Sequence, residues 1–285
     1  MDSQHDAAGT GAGADTAGFD TLRHAARSIY GADAAGYQDG RPDYPSRVYE
    51  VLRSRCAVGP GSKVLEIGPG PGMVTRHLLA AGAQVVAVEP DPGFAQYLAH
   101  TLPGVQVVTA PFEQADLEGG FDAVVAATSF HWLDQPAALS KLGRVLRPGG
   151  WAAIWWSLFS DPHRDDPLLA AATAALGFEP GNQRGGTGFQ LDTEARCDDL
   201  RRGAGLVDIE YELIPSDIAM SADQVRALFH SMITIRRLPA GQRTHVLNTL
   251  TDLVNNAYGG MTTRPHLTAL YFGRKAHGST TGHED

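Results

Sequence analysis

Cysteine is nearly absent. Cys56 and Cys197 are the only two in 285 residues, far apart and in no metal-ligand spacing, so neither a disulfide framework nor a metal site is expected. Lysine is scarce as well, at Lys63, Lys141 and Lys275 alone, and 32 acidic residues outweigh 23 basic ones for a formal charge of −9. With no run of basic residues, the surface repels phosphates, which argues against nucleic acid and an anionic membrane as partners. No stretch approaches the ~20 apolar residues that cross a bilayer. The first twenty residues lack the basic start and apolar centre of a secretion signal, so a cytoplasmic protein is expected.

Apolar residues make up 43% of the chain, enough for one large α/β domain with an appended cap. Gly, Ala, Asp and Thr dominate the start, and the reading there is a disordered tail over 1–19, matched by another over 276–285. Between tail and core, Leu22, Ala25, Ala26, Ile29 and Tyr30 share one helical face. That predicts an N-terminal helix or arm over 20–36. Its apolar face suits docking on a neighbouring subunit, giving a homo-oligomer, or equally on its own subunit.

Residues 64–72, VLEIGPGPG, are the stretch around which the remainder is arranged. Val64, Leu65 and Ile67 read as a buried strand, and Gly68, Gly70 and Gly72 follow at once. Glycine permits positive φ and brings backbone N–H groups up to a ligand with no Cβ between them. A dinucleotide fingerprint, G-x-G-x-x-G, would need glycine at Met73, where the run is instead G-x-G-x-G. Glu66 suits a ligand with a cationic amino group better than one with phosphates. Gln84 to Val88 reads as a second strand ending in Glu89, an acid at a carboxyl edge that can accept both hydroxyl protons of a ribose. The plainer reading is that Glu89 only precedes a turn, with Asp91 capping the next helix and Pro92 at its first position.

Further strands are expected at 105–108, 121–128 and 151–156, alternating with helices that begin near Met73, Phe94 and Gln135. This alternation implies parallel crossover units, a doubly wound sheet with helices on both faces and ligands at its carboxyl edge. Beyond Phe159 the pattern predicts a helix over 162–177, a glycine-rich lid loop at 181–190, strands at 207–213 and 266–273, and helices over 222–238 and 243–257. Insertions at about 158–205 and 216–260 are expected to cap an acceptor pocket, with Phe229, Met232 and Ile233 lining it or serving as ordinary core.

His131 and Trp132 fall just past the fourth strand. A histidine there is a candidate base, with an ordinary pKa near ~6.5, or a structural hydrogen-bonder, and Trp132 is a wall. Trp155 and Trp156 point to opposite faces, so at most one of them serves the pocket, and Trp156 is the candidate.

VLEIGPGPG, VVAVEPD, APFEQADL, FDAVVAATSFHW and RVLRPGGW, in order from about residue 37 to 157, resemble the class I S-adenosylmethionine-dependent methyltransferases, in the branch acting on small molecules. The resemblance implies a mostly parallel seven-stranded α/β sheet over 37–275 whose final strand runs antiparallel. It implies S-adenosylmethionine as cofactor, held by Glu66, Gly68, Gly70 and Gly72 at the methionine part, by Glu89 and Pro90 at the ribose, and by Phe112 and Glu113 beside the adenine. Ala127 and Thr128 join them at the end of strand four. Tyr37 and Arg41 are implied to close over the cofactor, with Tyr37 beside His131 as a second catalytic candidate and Tyr44 on the acceptor side. The reaction expected is methylation of a small hydrophobic, aromatic or isoprenoid-bearing acceptor in bacterial secondary metabolism. A nicotinamide oxidoreductase and a non-catalytic cofactor-binding protein are the alternatives.

Overall fold

The computed structural model describes residues 40–177 and 188–277. The expected helix at 20–30, Tyr37, most of the glycine-rich loop and the end of the C-terminal tail lie outside them.

Seven strands form one sheet in the order β3-β2-β1-β4-β5-β7-β6. They are β1 (Lys63–Ile67), β2 (Gln84–Val88), β3 (Gln106–Val108), β4 (Phe121–Ala127), β5 (Leu146–Leu158), β6 (Leu206–Ser221) and β7 (Met261–Lys275). The first five pair in parallel, while β7 lies antiparallel between β5 and β6. Helices α1 (Ser46–Ser54), α2 (Met73–Ala80), α3 (Pro92–Thr101) and α4 (Gln135–Val145) supply the N-terminal half and its crossovers. The strand order reverses between β1 and β4, and there the crossovers diverge to leave a crevice at the carboxyl edge.

Local signals fix the helix starts that flank this crevice. Asp91 accepts the Phe94 amide and Asp134 the Ala137 amide, each with proline in the first turn behind it. One apolar cluster packs α4 against the sheet through Leu65, Val124, Leu142 and Trp156, and another packs α1 and α2 on the other face through Val51, Leu78, Val125 and Trp155. Burial of each such side chain contributes about 1.5–3 kcal/mol. A third cluster joins α5 (Pro167–Ala175) with α7 (Ala222–His230), α8 (Ile233–Arg236) and α9 (Ala240–Tyr258).

Three expectations are corrected here. The strand expected at 207–213 runs on to Ser221, pairing with β7 along its length. The helix expected over 222–238 breaks at Ser231 and Met232, where Met232 turns extended and the Ser231 carbonyl accepts from Arg41. The insertion at 158–205 does not act as one cap. Its α5 joins the third cluster, whereas α6 (Thr193–Asp198) and the turn after it bring Leu200 and Ala204 against α4 on the opposite side of the sheet.

Candidate functional site

The crevice at the ends of β1 and β4 is walled by residues from six parts of the chain. The glycine turn forms its floor. Gly68, Gly70 and Gly72 all have positive φ, of 65°, 55° and 90°. At Gly70 an added Cβ would project into open space, so a side chain there would occupy the crevice itself. At Gly72 it would come within 2.5 Å of Leu98, so this glycine serves the packing of α2 on α3 and does not line the crevice.

Glu89 holds the turn in place. Its Oε2 accepts the Gly70 amide at 3.0 Å and its Oε1 accepts the Asp91 amide at 2.9 Å, with the residue buried. A carboxylate oxygen can accept two hydrogen bonds, so a group of this kind suits a pair of hydroxyls. Glu66 also borders the crevice, 1% exposed, and accepts the Thr75 hydroxyl at 2.7 Å. Burial pushes its pKa up to about 7, Glu89 adds to that, and the Thr75 hydrogen bond opposes it. A cationic group placed there would restore the ionised form.

Around this floor the walls are apolar, with Phe94, Phe112, Trp132, Leu133 and Phe159 among the lining residues. Arg41, Tyr44, Pro90 and Ala127 line it too. The segment before α1 is anchored through Asp43, which accepts from Tyr49 at 2.6 Å and meets His77 Nε2 at 2.7 Å. This sets Tyr44 against the sheet, where its hydroxyl lies 2.9 Å from Thr128 Oγ1. Thr128 has φ 51°, a strained conformation for a β-branched residue, and its Oγ1 also accepts the Ser157 amide at 3.2 Å.

Other expected residues sit elsewhere. His131 is not on the lining, and its Nδ1 accepts the indole N–H of Trp156 at 3.0 Å. A neutral imidazole accepting at Nδ1 carries its proton on Nε2, the arrangement of a structural hydrogen-bonder. Trp156 is buried on the α4 side and off the lining, and the two-residue period of β5 sets Trp155 and Ser157 on the opposite face, where Trp155 packs with α1 and α2 and Ser157 reaches the crevice. Glu113 faces away, its Oε1 accepting the Asp134 amide at 2.8 Å. Phe229 and Met232 belong to the third apolar cluster, and Ile233 is not a lining residue.

Phe94, Ser157 and Phe159 are lining residues that sequence reasoning missed. Alternation along β5 carried the signal for Ser157. For Phe159, just past the strand, and for Phe94, on α3, no local pattern did.

Among the described residues there is no cluster that could hold a metal ion, and no helix is long and apolar enough to cross a membrane.

Residues 65–154 match the Methyltransf_11 family, described as a methyltransferase domain. An uncharacterised methyltransferase of Mycobacterium bovis is 34% identical over 129 residues, 45% of this chain and 51% of that relative, so the match spans about half the relative's length. A structure described as a type II methyltransferase from Anaeromyxobacter dehalogenans superposes with a TM-score of 0.60 at 22% identity, covering 83% of this chain and 99% of that one. The Haemonchus contortus phosphoethanolamine N-methyltransferase 2, in complex with phosphomonomethylethanolamine and S-adenosylhomocysteine, superposes with a TM-score of 0.52 at 14% identity, covering 91% and 59%. Likeness at those identities shows the fold. The matched stretch runs from within β1, through the glycine turn, to within β5, so the chain carries a methyltransferase domain there.

Proposed function

We propose that this chain transfers a methyl group from S-adenosylmethionine to a small hydrophobic acceptor, aromatic or isoprenoid-bearing, by in-line displacement in bacterial secondary metabolism. The observation that carries the reading is the open face of Gly70 beside both oxygens of Glu89, in a crevice otherwise walled by aromatic rings. The donor set fits the cofactor. Glu89 would hold the ribose hydroxyls, Glu66 the amino group, the Gly68 to Gly70 backbone the methionine part and Phe112 the adenine. Two buried carboxylates at one turn would repel a pyrophosphate, which weighs against a nicotinamide cofactor.

When bound, S-adenosylmethionine supplies a methyl group already activated on sulfur. The chain's own work is to bind, align and exclude water. Glu66 is buried and near its titration point, so it can meet a cation without a large cost of ionisation. Tyr44 and Thr128 present hydroxyls beside the aromatic walls and can orient a polar atom of the acceptor. Phe94, Trp132 and Phe159 keep the crevice poorly hydrated and complement a positive centre.

Calorimetric titration with S-adenosylmethionine, S-adenosylhomocysteine and NAD tests the donor. Binding of the first two and not the third is expected, and the reverse sinks the reading. Turnover of labelled methyl donor with apolar acceptors then tests the second half. Assembly through residues 20–30 and the role of Tyr37 over the cofactor belong to the same proposal. Light scattering on the full chain and on a chain starting at Gly31 tests the former, and a monomeric full chain ends it.

A further inference from the structure

Phe159 is both a wall of the crevice and the cover of a buried polar group that methyl transfer does not use. Arg264 and His266 lie two apart on β7, so the strand's period sets both on one face, and each is 1% exposed. Arg264 Nη2 donates to Asp166 Oδ2 at 2.5 Å and to the Phe159 carbonyl at 2.8 Å. The other oxygen of Asp166 is occupied at the start of α5, accepting the Leu168 and Leu169 amides. Arg264 Nε and Nη1 and both ring nitrogens of His266 have no hydrogen-bond partner among the described residues.

Such burial is costly. A buried donor without a partner is destabilising, more so when charged, and persistent cases call for a specific explanation such as a ligand that completes them. The two residues differ in what they offer. The guanidinium has donors only, so whatever meets it is an acceptor, and an ionised acceptor binds it most strongly. Burial and the nearby Arg264 charge hold His266 down to about 4, so it is neutral and offers one N–H and one lone pair.

Phe159 lines the crevice and touches both groups, the His266 ring through its own ring and Arg264 through its carbonyl, while the Phe229 ring lies 4.9 Å from the Arg264 guanidinium. The His266 ring meets the Phe159 ring edge-on, with centroids 5.5 Å apart at 82°. Arg41 sits over the Phe159 ring at 4.5 Å, while Arg41 Nε donates to Ser231 Oγ.

We propose that Arg264 and His266 form an oxyanion subsite for the acceptor, opened when the Phe159 side chain turns aside, so that the acceptor is an apolar molecule bearing a carboxylate. The inference rests on the methyl-transfer reading of the crevice and narrows its substrate class. One carboxylate has two oxygens, enough to serve Arg264 Nη1 and the His266 N–H together.

The test is calorimetric titration of the full chain with trans-cinnamate and with trans-cinnamamide, each with and without S-adenosylhomocysteine. Cinnamate is expected to bind at least ~10-fold more tightly than the amide. The ratio should fall to about 1 in the Arg264→Gln/Asp166→Asn double variant, which removes both charges together and leaves neither buried alone. It should survive in Arg41→Gln. Phe159→Ala, which removes the ring and neither donor, should raise affinity for cinnamate and not for the amide, and this variant decides the matter if the double variant does not fold. Equal affinities in the wild type, a preference that persists without Arg264, one that vanishes with Arg41, or no gain in Phe159→Ala would each overturn the subsite. Failure to bind S-adenosylhomocysteine, with the carboxylate preference intact, would strike the methyl donor and spare the subsite.

Discussion

Glu89 Oε2 accepts the backbone N–H of Gly70 at 3.0 Å, joining residues 19 apart in the chain. The acid at the end of β2 is therefore part of the glycine turn as well as the group proposed to hold a ribose. Glu89→Ala removes ligand contacts and the anchor of the turn in one step. S-adenosylhomocysteine affinity is expected to fall by about 1.5–3 kcal/mol, with a lower melting temperature besides. An unchanged dissociation constant would take Glu89 out of the site.

Gly70→Val is expected to abolish cofactor binding in a folded protein. The residue sits at φ 55° with open space where a side chain would go, so the substitution strains the backbone by roughly 1–2 kcal/mol and fills the crevice without striking the core. Circular dichroism checks the fold and calorimetry the binding. Retained affinity would mean that the ligand does not approach this turn.

Glu66 gives the ligand-free protein a pH signature. Its folded pKa, about 7, stands above the ordinary 4.5, so between those values the native state holds more protons than the unfolded one and stability falls as pH rises. The loss, on the order of 3 kcal/mol, is complete above about pH 7. His266 works against it. Its folded pKa, lowered from 6.5 to about 4, makes stability rise over that interval. The wild-type curve mixes the two effects, and the difference between wild type and Glu66→Gln isolates the first. Denaturant unfolding at pH 5 and pH 8 should show Glu66→Gln gaining relative to wild type at the higher pH. A difference independent of pH would place the Glu66 titration elsewhere.

His131→Ala is expected to cost stability more than rate. It leaves the buried Trp156 indole N–H without its acceptor, a loss of about 1–3 kcal/mol, while the crevice lining is untouched. Turnover within ~10-fold of wild type is the expected result. A loss of ~10²–10⁴-fold with S-adenosylhomocysteine affinity intact would restore the general-base reading.

What the sequence determined by itself is the part of the protein governed by local chemistry. Apolar runs ending in glycine or acid located β1 and β2, aspartate followed by proline located the start of α3, and three glycines in five residues marked the turn at the crevice. These are near-neighbour effects in the chain, so they are legible without a fold. Glu89 belongs with them, because the end of a parallel strand at a crossover is a predictable place.

The tertiary structure decided wherever a side chain's role depended on a partner remote in sequence or on a parity of one residue. Trp155 and Trp156 differ by a single position, and the length and pairing of β5 chose which one faces α4. His131 became an acceptor for Trp156 once the α4 side of the sheet brought them together, and Glu113 turned to the Asp134 amide instead of the crevice. Arg41 meets Ser231, 190 residues away, at the break between two helices, and Phe159 lines the crevice with its ring while its carbonyl takes a buried arginine. Propensity acts over a turn or two of chain, whereas hydrogen bonds and burial are satisfied by whatever the fold brings near.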